Sequence, residues 1–435
     1  MRKRRHAASP QRPDVLIYGM NFMPEMTGIG RYSGEMAVGL TRRGLNVDAI
    51  TTAPHYPGWY VRVPYSPWKY SREVEDGVRI LRCPMLLRNA GSGIGRLLAP
   101  ISFAVTSAPV ALWRILRDRP RTIVCVEPTL FVVPVALLAA KMTGARTVLH
   151  VQDLEVDAAF AIGHLGGRAW LRWLGFAFER FLTKRFDLVV TISQQMAKRL
   201  VLKGVVEERV RIIRNWVDTS RIFPLGRPSR YRDDLRLDPD QFVVVYSGQI
   251  GPKQALHAVL EAAERLADDS RIHFVLVGDG PYKSKLANRF GHLRNVTLLD
   301  LQPEHLLNEL LNLADCHVLP QHPSVADLVL PSKLGGMLAS GKPALVVADD
   351  ESELAAFLGD SCVRLPSERL NDLDTALLDM LENGTGTDEG SCEMRLHLAR
   401  TLAIEGAISA FEILVGVNRG GATGMGHGEI PGGAS

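Results

Sequence analysis

Residues 15–34 read VLIYGMNFMPEMTGIGRYSG. An apolar strand runs into a loop holding Gly28 and Gly30, and helical spacing follows, which is how an α/β unit begins. A dinucleotide site would need G-x-G-x-x-G in a short turn and an acid at the end of the second strand to hold a ribose. Here the loop extends from residue 20 to residue 30, and the third glycine, Gly34, comes one place late. The second strand ends in TTAPHY without an acid, and Asp48 stands at that strand's start, on the wrong side. The dinucleotide fingerprint therefore fails. What survives is a glycine loop before a helix N-terminus, where free N–H groups and the macrodipole favour an anion. A plain βα turn is the simpler account, and it explains Gly28 alone.

Outward from this stretch, strands and helices alternate. Strands are expected at 14–19, 46–52, 122–128, 146–153 and 187–193, with helices at 29–43, 131–142, 167–185 and 194–203, and VRIIRNWVD (210–218) ends the half. After a Pro/Arg/Asp-rich stretch near 219–240 the series resumes. Strands follow at 241–248, 272–280, 295–300, 316–321 and 343–349, with helices at 253–267, 281–290, 303–313 and 331–340. The pattern predicts an α/β fold of two Rossmann-like, doubly wound domains facing across a cleft. The expected division is a disordered basic arm (1–13), a first domain (14–220), a second domain (221–416) and a disordered Gly-rich tail (417–435).

The second half repeats the opening device. In YSGQIGPKQAL (246–256), Gly248 and Gly251 permit close backbone approach, and Lys253 stands at an expected helix start. A cation there is electrostatically out of place unless an anion joins it, which makes Lys253 a phosphate-ligand candidate over an ordinary surface lysine. VGDGPYKSKL (277–286) supplies another turn, with Gly278 and Gly280, able to admit a flat base. In DLVLPSKLGGMLASGKPALVV (327–347), Pro331 suits a helix start and Gly341 its end. Gly335 and Gly336 inside that helix each cost about 1 kcal/mol relative to alanine, so something should pack closely against them. Ser332 and Lys333 would then point from its first turn into the cleft.

The 435 residues are 46% hydrophobic and 23% charged, the balance of a soluble globular chain with room for two cores. Five widely spaced cysteines with no CxxC pair suggest neither a disulfide framework nor a zinc knuckle. Residues 1–120 hold 18 Lys/Arg against 8 Asp/Glu in a chain of net charge +4, so the remainder is acidic. A basic front half suits an anionic partner such as phosphate or an acidic membrane, with a solvated face as the plain alternative.

The runs PEMTGIGRYSGEMAVGLTRRGLNVDAITT, VVTISQQMAKRL, RIIRNWVD, VYSGQIGPKQAL, FVLVGDGP, LADCHVLPQ and LPSKLGGMLASGKPALVV occur in order between residues 14 and 415. With them the chain resembles glycosyltransferase family 4 of the GT-B fold. APHYPGWYVRVPYSPWKY and TVLHVQDLEVDA look closest to colanic acid biosynthesis fucosyltransferase-like members, which act on lipid-linked intermediates of exopolysaccharide. The resemblance implies a sugar-nucleotide donor, GDP- or UDP-linked, in the second half and a lipid-linked saccharide acceptor in the first. It implies transfer of a hexose, fucose among the candidates, with retention of configuration, no metal, no other cofactor and no nucleic acid. The same-face route it implies has the leaving phosphate oxygen take the acceptor proton. Three positions depart from the family pattern: Gly336 replaces a usual glutamate, Gln249 a frequent arginine, and Gln152-Asp153 a frequent His-Asp.

Neutralising a leaving diphosphate without a metal needs cations and N–H dipoles. Lys253, Lys333 and the loops at 28–30 and 248–251 are the candidates. Asp153 and Glu155, at the carboxyl end of an apolar strand, are placed to orient an acceptor hydroxyl or steady the sugar cation, with capping as the alternative. Asp327 is a candidate for the donor's sugar hydroxyls or a loop cap. His150 shares a strand face with Gln152 and is a site or a core histidine. Residues 55–70 hold six aromatics in a chain only 7% aromatic, which suits stacking on sugars or a membrane interface. Residues 97–113 carry no charge but include Pro100 and Pro109, so an interfacial or buried helix is expected rather than a span. The expected location is cytoplasmic, peripheral at the inner face of the membrane. A GT-B sugar-nucleotide 2-epimerase and an inactive GT-B binding subunit are the competing readings.

Overall fold

The computed structural model describes residues 12–56, 58–87, 93–153, 169–322 and 330–416. Glu155, Asp327, most of the basic arm and the tail from 417 lie outside the described residues.

Strands β1 (Val15–Tyr18), β2 (Val47–Thr51), β3 (Ser71–Glu75), β4 (Val78–Arg82), β5 (Thr122–Glu127), β6 (Arg146–Val151), β7 (Leu188–Thr191) and β8 (Val210–Ile212) form one sheet, ordered β3-β4-β2-β1-β5-β6-β7-β8. Strands β9 (Phe242–Ser247), β10 (Ile272–Val277), β11 (Val296–Leu299), β12 (Cys316–Leu319), β13 (Ala344–Val347) and β14 (Val363–Leu365) form the other, ordered β11-β10-β9-β12-β13-β14. The central strands β1, β5, β9 and β10 are almost wholly apolar and buried, as parallel strands covered on both faces must be. In each sheet the strand order reverses beside the first strand, at β1/β5 and β9/β12. Loops leaving those strands at their carboxyl ends border a crevice.

β3 and β4 are antiparallel, and the sequence reading left them unassigned. Their turn is Asp76-Gly77, with φ of 47° and 83°, the left-handed pair of a two-residue hairpin. The exposed, charged β3 then closes the sheet edge.

The expected helix 253–267 is shorter than its pattern. A 3₁₀ turn at Pro252–Gln254 and left-handed Ala255 (φ 47°) precede a helix at Leu256–Arg265. Lys253 therefore sits on the 3₁₀ turn rather than at the helix start. The helix Gly93–Asp118 is long and apolar enough from Leu98 onward to cross a membrane, by composition alone. In the fold it turns Phe103, Ala111 and Ile115 into the first core and leaves Ile101, Val105 and Trp113 exposed.

The helix Ile404–Val415, which the sequence reading assigns to the second domain, packs on the first. Ile408, Phe411 and Val415 join the core around β1, and Ile408 lies against Gly39 of the helix Gly28–Arg42. The chain thus crosses between lobes twice, and the crossings pair: Val217 N donates to Leu402 O (2.9 Å) and Ile404 N to Val217 O (3.0 Å). Apolar surface decides the matter, because this helix is more hydrophobic than a solvent-facing terminus tolerates.

Candidate functional site

The loop after β1 folds around Glu25. Its carboxylate, 5% exposed, accepts from Asn21 Nδ2 (3.0 Å), His55 N (3.1 Å) and Tyr56 N (3.1 Å), with His55 Nδ1 at 3.4 Å. Gly30 makes room for it: a Cβ there would lie 2.1 Å from Glu25 Oε2. The anion expected at this loop is thus supplied by the chain itself. Arg82, brought by the unexpected hairpin, props the same loop through Met23 O (2.8 Å) and Thr52 O (2.8 Å), its own charge met by Glu73 (Nε–Oε1 2.6 Å). Gly28, left-handed at φ 66°, faces the Tyr56 ring instead.

Across the cleft, the loops after β9 and β10 lock backbone to backbone. Gly248 N donates to Val277 O (2.9 Å), Ile250 N to Asp279 O (2.9 Å) and Tyr282 N to Ile250 O (3.2 Å). Gly278 and Gly280, at φ 155° and 152°, make this possible; Cβ atoms would meet Gly248 O at 1.8 Å and Ile250 O at 2.3 Å. The Cβ positions of these two glycines are therefore taken by the neighbouring loop. Gly251 is extended and needs no special freedom.

Lys333 closes this side. It precedes the helix Leu334–Ala339, is partly buried, and donates to Tyr246 Oη (2.7 Å), with its ammonium 4.0 Å from the Tyr246 ring centre. Tyr246 Oη in turn donates to Gln249 O (2.5 Å). No carboxylate among the described residues pairs with Lys333, and desolvation pushes its pKa down to about 7. A Cβ on Gly248 (φ 148°) would stand 3.2 Å from Lys333 Cε and Nζ, so the glycine leaves room for the ammonium.

Two links join the lobes here. Tyr56 Oη donates to Gln249 Oε1 (3.0 Å), and Tyr32 Oη donates to Ser332 O (3.2 Å). Tyr32 packs edge-on to Trp216 (5.1 Å), whose Nε1 donates to Glu35 (2.7 Å). Burial raises the Tyr56 phenol pKa to about 12, with Glu25 and Asp153 adding to the shift. Asp153 is thus an electrostatic neighbour of Tyr56 at the end of β6.

Of the sequence candidates, Gly28, Gly248, Lys333 and Asp153 gather around the chain Tyr56–Gln249–Tyr246–Lys333. Ser332 contributes its carbonyl, with an exposed side chain. Lys253 is partly buried and its carbonyl accepts from His322 N (3.0 Å), tying the loops after β9 and β12 at the order reversal. His150 is a core residue: fully buried, edge-on to Phe411 (5.0 Å), accepting from Gln152 Nε2 (3.1 Å), with its pKa pushed down to about 3 by burial. Gly335 and Gly336 do receive close packing, from Val217 and Leu311, where Cβ atoms would come within 3.1 Å.

The sequence reading did not single out Glu25, Tyr32 or Tyr246. Tyr246 was visible as a polar-tipped residue in an otherwise valine-filled strand, where a buried hydroxyl needs a partner. Glu25 was visible as an acid inside the apolar run NFMPEM.

The family model described as "Glycosyl transferase 4-like domain" matches residues 27–216, and that described as "Glycosyl transferases group 1" matches 229–352. The chain is 41% identical over 360 residues to the "Putative colanic acid biosynthesis glycosyl transferase WcaI" of Escherichia coli (strain K12), covering 81% of this chain and 86% of that protein. Among solved structures, sucrose-phosphate synthase from Thermosynechococcus elongatus superposes with a TM-score of 0.70 at 14% identity, over 93% of this chain and 98% of that one. Anabaena Alr3699/HepE, solved with UDP-glucose, superposes with a TM-score of 0.66 at 13% identity, over 92% and 99%. Two facing parallel-sheet lobes, matched in order by these two models and backed by so close a relative, make the chain a member of the family 4-like glycosyltransferases of GT-B fold.

Proposed function

We propose that the second lobe holds a nucleoside-diphosphate hexose, GDP- or UDP-linked, and that the first lobe presents the hydroxyl of a lipid-linked or growing exopolysaccharide acceptor. The observation that carries this reading is Lys333: a desolvated ammonium at the cleft whose partner is a neutral phenol and whose missing counter-charge a diphosphate would supply. Lys253 and those N–H groups of the loop at 248–251 that the neighbouring loop does not use add to that field, whereas the loop at 28–30 is already filled by Glu25. The bond from the sugar C1 to the phosphate oxygen breaks, and a bond from C1 to the acceptor oxygen forms on the same face. The acceptor proton passes to the departing phosphate oxygen, so configuration is retained and no metal is needed. Asp153 stands beside Tyr56 to orient the acceptor or steady the sugar cation; Glu155 and Asp327 keep their proposed roles towards acceptor and donor sugar. The likeness to the colanic acid relative supports an exopolysaccharide acceptor.

The membrane part of the reading is supported by exposed Ile101, Val105 and Trp113 on the helix Gly93–Asp118, with Arg117 stacked on Trp113 (4.9 Å). Exposed Tyr70 is tied to it, its Oη donating to Thr106 O (2.8 Å), and Trp68, two residues earlier, is exposed as well. Such a face suits the interface of an anionic inner membrane from the cytoplasmic side.

Incubation with GDP- and UDP-sugars, with and without a lipid-linked acceptor, tests the proposal. Turnover only with acceptor, with the donor's anomeric configuration kept in the product, undiminished by EDTA, is expected. Isomerised sugar without acceptor, or nucleotide binding with no turnover of any donor, would overturn it. Flotation with anionic vesicles tests the membrane part, and protein left wholly in the soluble fraction would refute it.

A further inference from the structure

The second lobe carries a cavity of about 430 Å³ at the end away from the cleft. Its walls are the segments that enter β9, β12 and β13, together with the helices Leu373–Asn383 and Glu389–Thr401, whereas the cleft loops leave the strands at their other ends. Arg395, 1% exposed, lines it. Arg395 Nε donates to Gly341 O (3.1 Å), and Nη1 to Ser361 O (2.8 Å) and Gly386 O (3.1 Å). Its Nη2 makes no hydrogen bond among the described residues, and no carboxylate among them lies within ion-pair distance, although its charge helps hold the Asp388 carboxyl below the usual range. Lys342 lines the same cavity and is likewise without an ion pair among the described residues. Arg232 and Asp315, also in the wall, neutralise each other, and Asp315 further accepts from Val243 N (2.9 Å). Exposed Asp240 is the remaining carboxylate.

A guanidinium held by carbonyls keeps its whole charge, and burying it with only the Asp388 carboxylate, to which it is not bonded, as a counter-charge is costly. The Gly341 carbonyl, just past the end of the helix Leu334–Ala339, offsets part of that cost. The carbonyls do not use the remaining N–H pair, whose fork matches an oxyanion. We propose that this cavity binds a small oxyanion, a phosphate or a carboxylate, between Arg395 Nη2 and the Lys342 ammonium. The ligand would sit between two elements that matter to the cleft: the helix that starts after Lys333, and the helix that leads into the Val217–Ala403 crossing between lobes.

Cys392 gives a local readout, because it lines the cavity while the other four cysteines are buried. The test follows Cys392 alkylation by iodoacetamide in the full chain, by mass spectrometry, in inorganic phosphate, citrate or chloride at matched ionic strength. Saturable protection by phosphate, by citrate or by both, and none by chloride, is expected; which of the two protects names the ligand chemistry. Lys342→Ala, a change at a partly exposed position, should raise the half-protecting concentration about tenfold or more, the worth of one charge-assisted hydrogen bond. Arg395→Lys should do the same if its circular dichroism is native; should it misfold, Lys342→Ala carries the test. An alkylation rate unchanged by both anions, or protection that Lys342→Ala leaves intact, would overturn the proposal.

Discussion

The two lobes run the same device, a strand, a glycine loop and a helix, and fill it differently. In the first lobe the loop after β1 closes on the chain's own carboxylate, Glu25, seated over Gly30 and held by backbone N–H groups of residues 55 and 56. In the second lobe the glycine-lined side carries a cation, Lys333, which leans on a neutral phenol and lacks a counter-charge among the described residues. One loop is electrostatically finished by the chain itself; the other holds a cation without a counter-charge among the described residues, which is the place the proposed function gives to a diphosphate. A glycine loop after a strand is the signal in both cases, and the sign of the charged side chain folded against it tells them apart.

The contrast breaks most sharply under Lys333→Met. Transferase kcat/KM should fall by roughly 10²–10³-fold, the loss seen when one preorganised donor to a developing charge is removed. Thermal stability should hold or rise, because a desolvated ammonium is gone. A variant with near-normal turnover would end the contrast.

Gly30→Ala should act the other way round. Its Cβ would collide with Glu25 Cβ at 2.7 Å as well as with the carboxylate, so equilibrium unfolding should show a loss of about 3 kcal/mol.

A pH series separates folding from binding at Lys333. Its folded pKa, about 7, lies below the unfolded value of an ordinary lysine. Between the two values the unfolded chain holds more protons, so this lysine makes stability rise with pH from about 7 upward, with slope bounded by ~1.4 kcal/mol per pH unit. Nucleoside-diphosphate affinity should move oppositely, weakening above pH 7 by at most about tenfold per unit, because the anion needs the protonated form. Calorimetric titrations that show pH-independent affinity in wild type, or the same pH dependence in Lys333→Met, would contradict this.

The smallest effect is expected of Tyr56→Phe, which removes the bond to Gln249 Oε1 between the lobes. A loss of about 1 kcal/mol in stability, with the fold intact by circular dichroism, is the expected result.

Most of the fold was legible. The valine- and isoleucine-rich runs at β1, β5, β6, β9 and β10 announce buried parallel strands, and the glycine loops between them announce βα turns. The hairpin at 71–82 was legible too, through Asp76-Gly77, but its charged edge strand lacks the apolar run that marks the others. Of the site, Lys333 and Gly248 could be named from position after a strand or before a helix. Tyr56 sat within a conspicuous aromatic cluster, but nothing local says that it reaches residue 249 of the other lobe.

By itself, then, the sequence determined two α/β halves, most of their buried parallel strands along the chain and the glycine loops facing a crevice, because strand period, apolar runs and turn residues are local signals. Only the tertiary structure decided which glycines serve packing, as Gly30, Gly278 and Gly280 do, and which leave room beside a charge, as Gly248 does. It also decided that the last helix belongs to the first lobe and that Glu25, not an outside anion, occupies the first loop. These are contacts between residues far apart in the chain, and their outcome depends on which surface or charge arrives there.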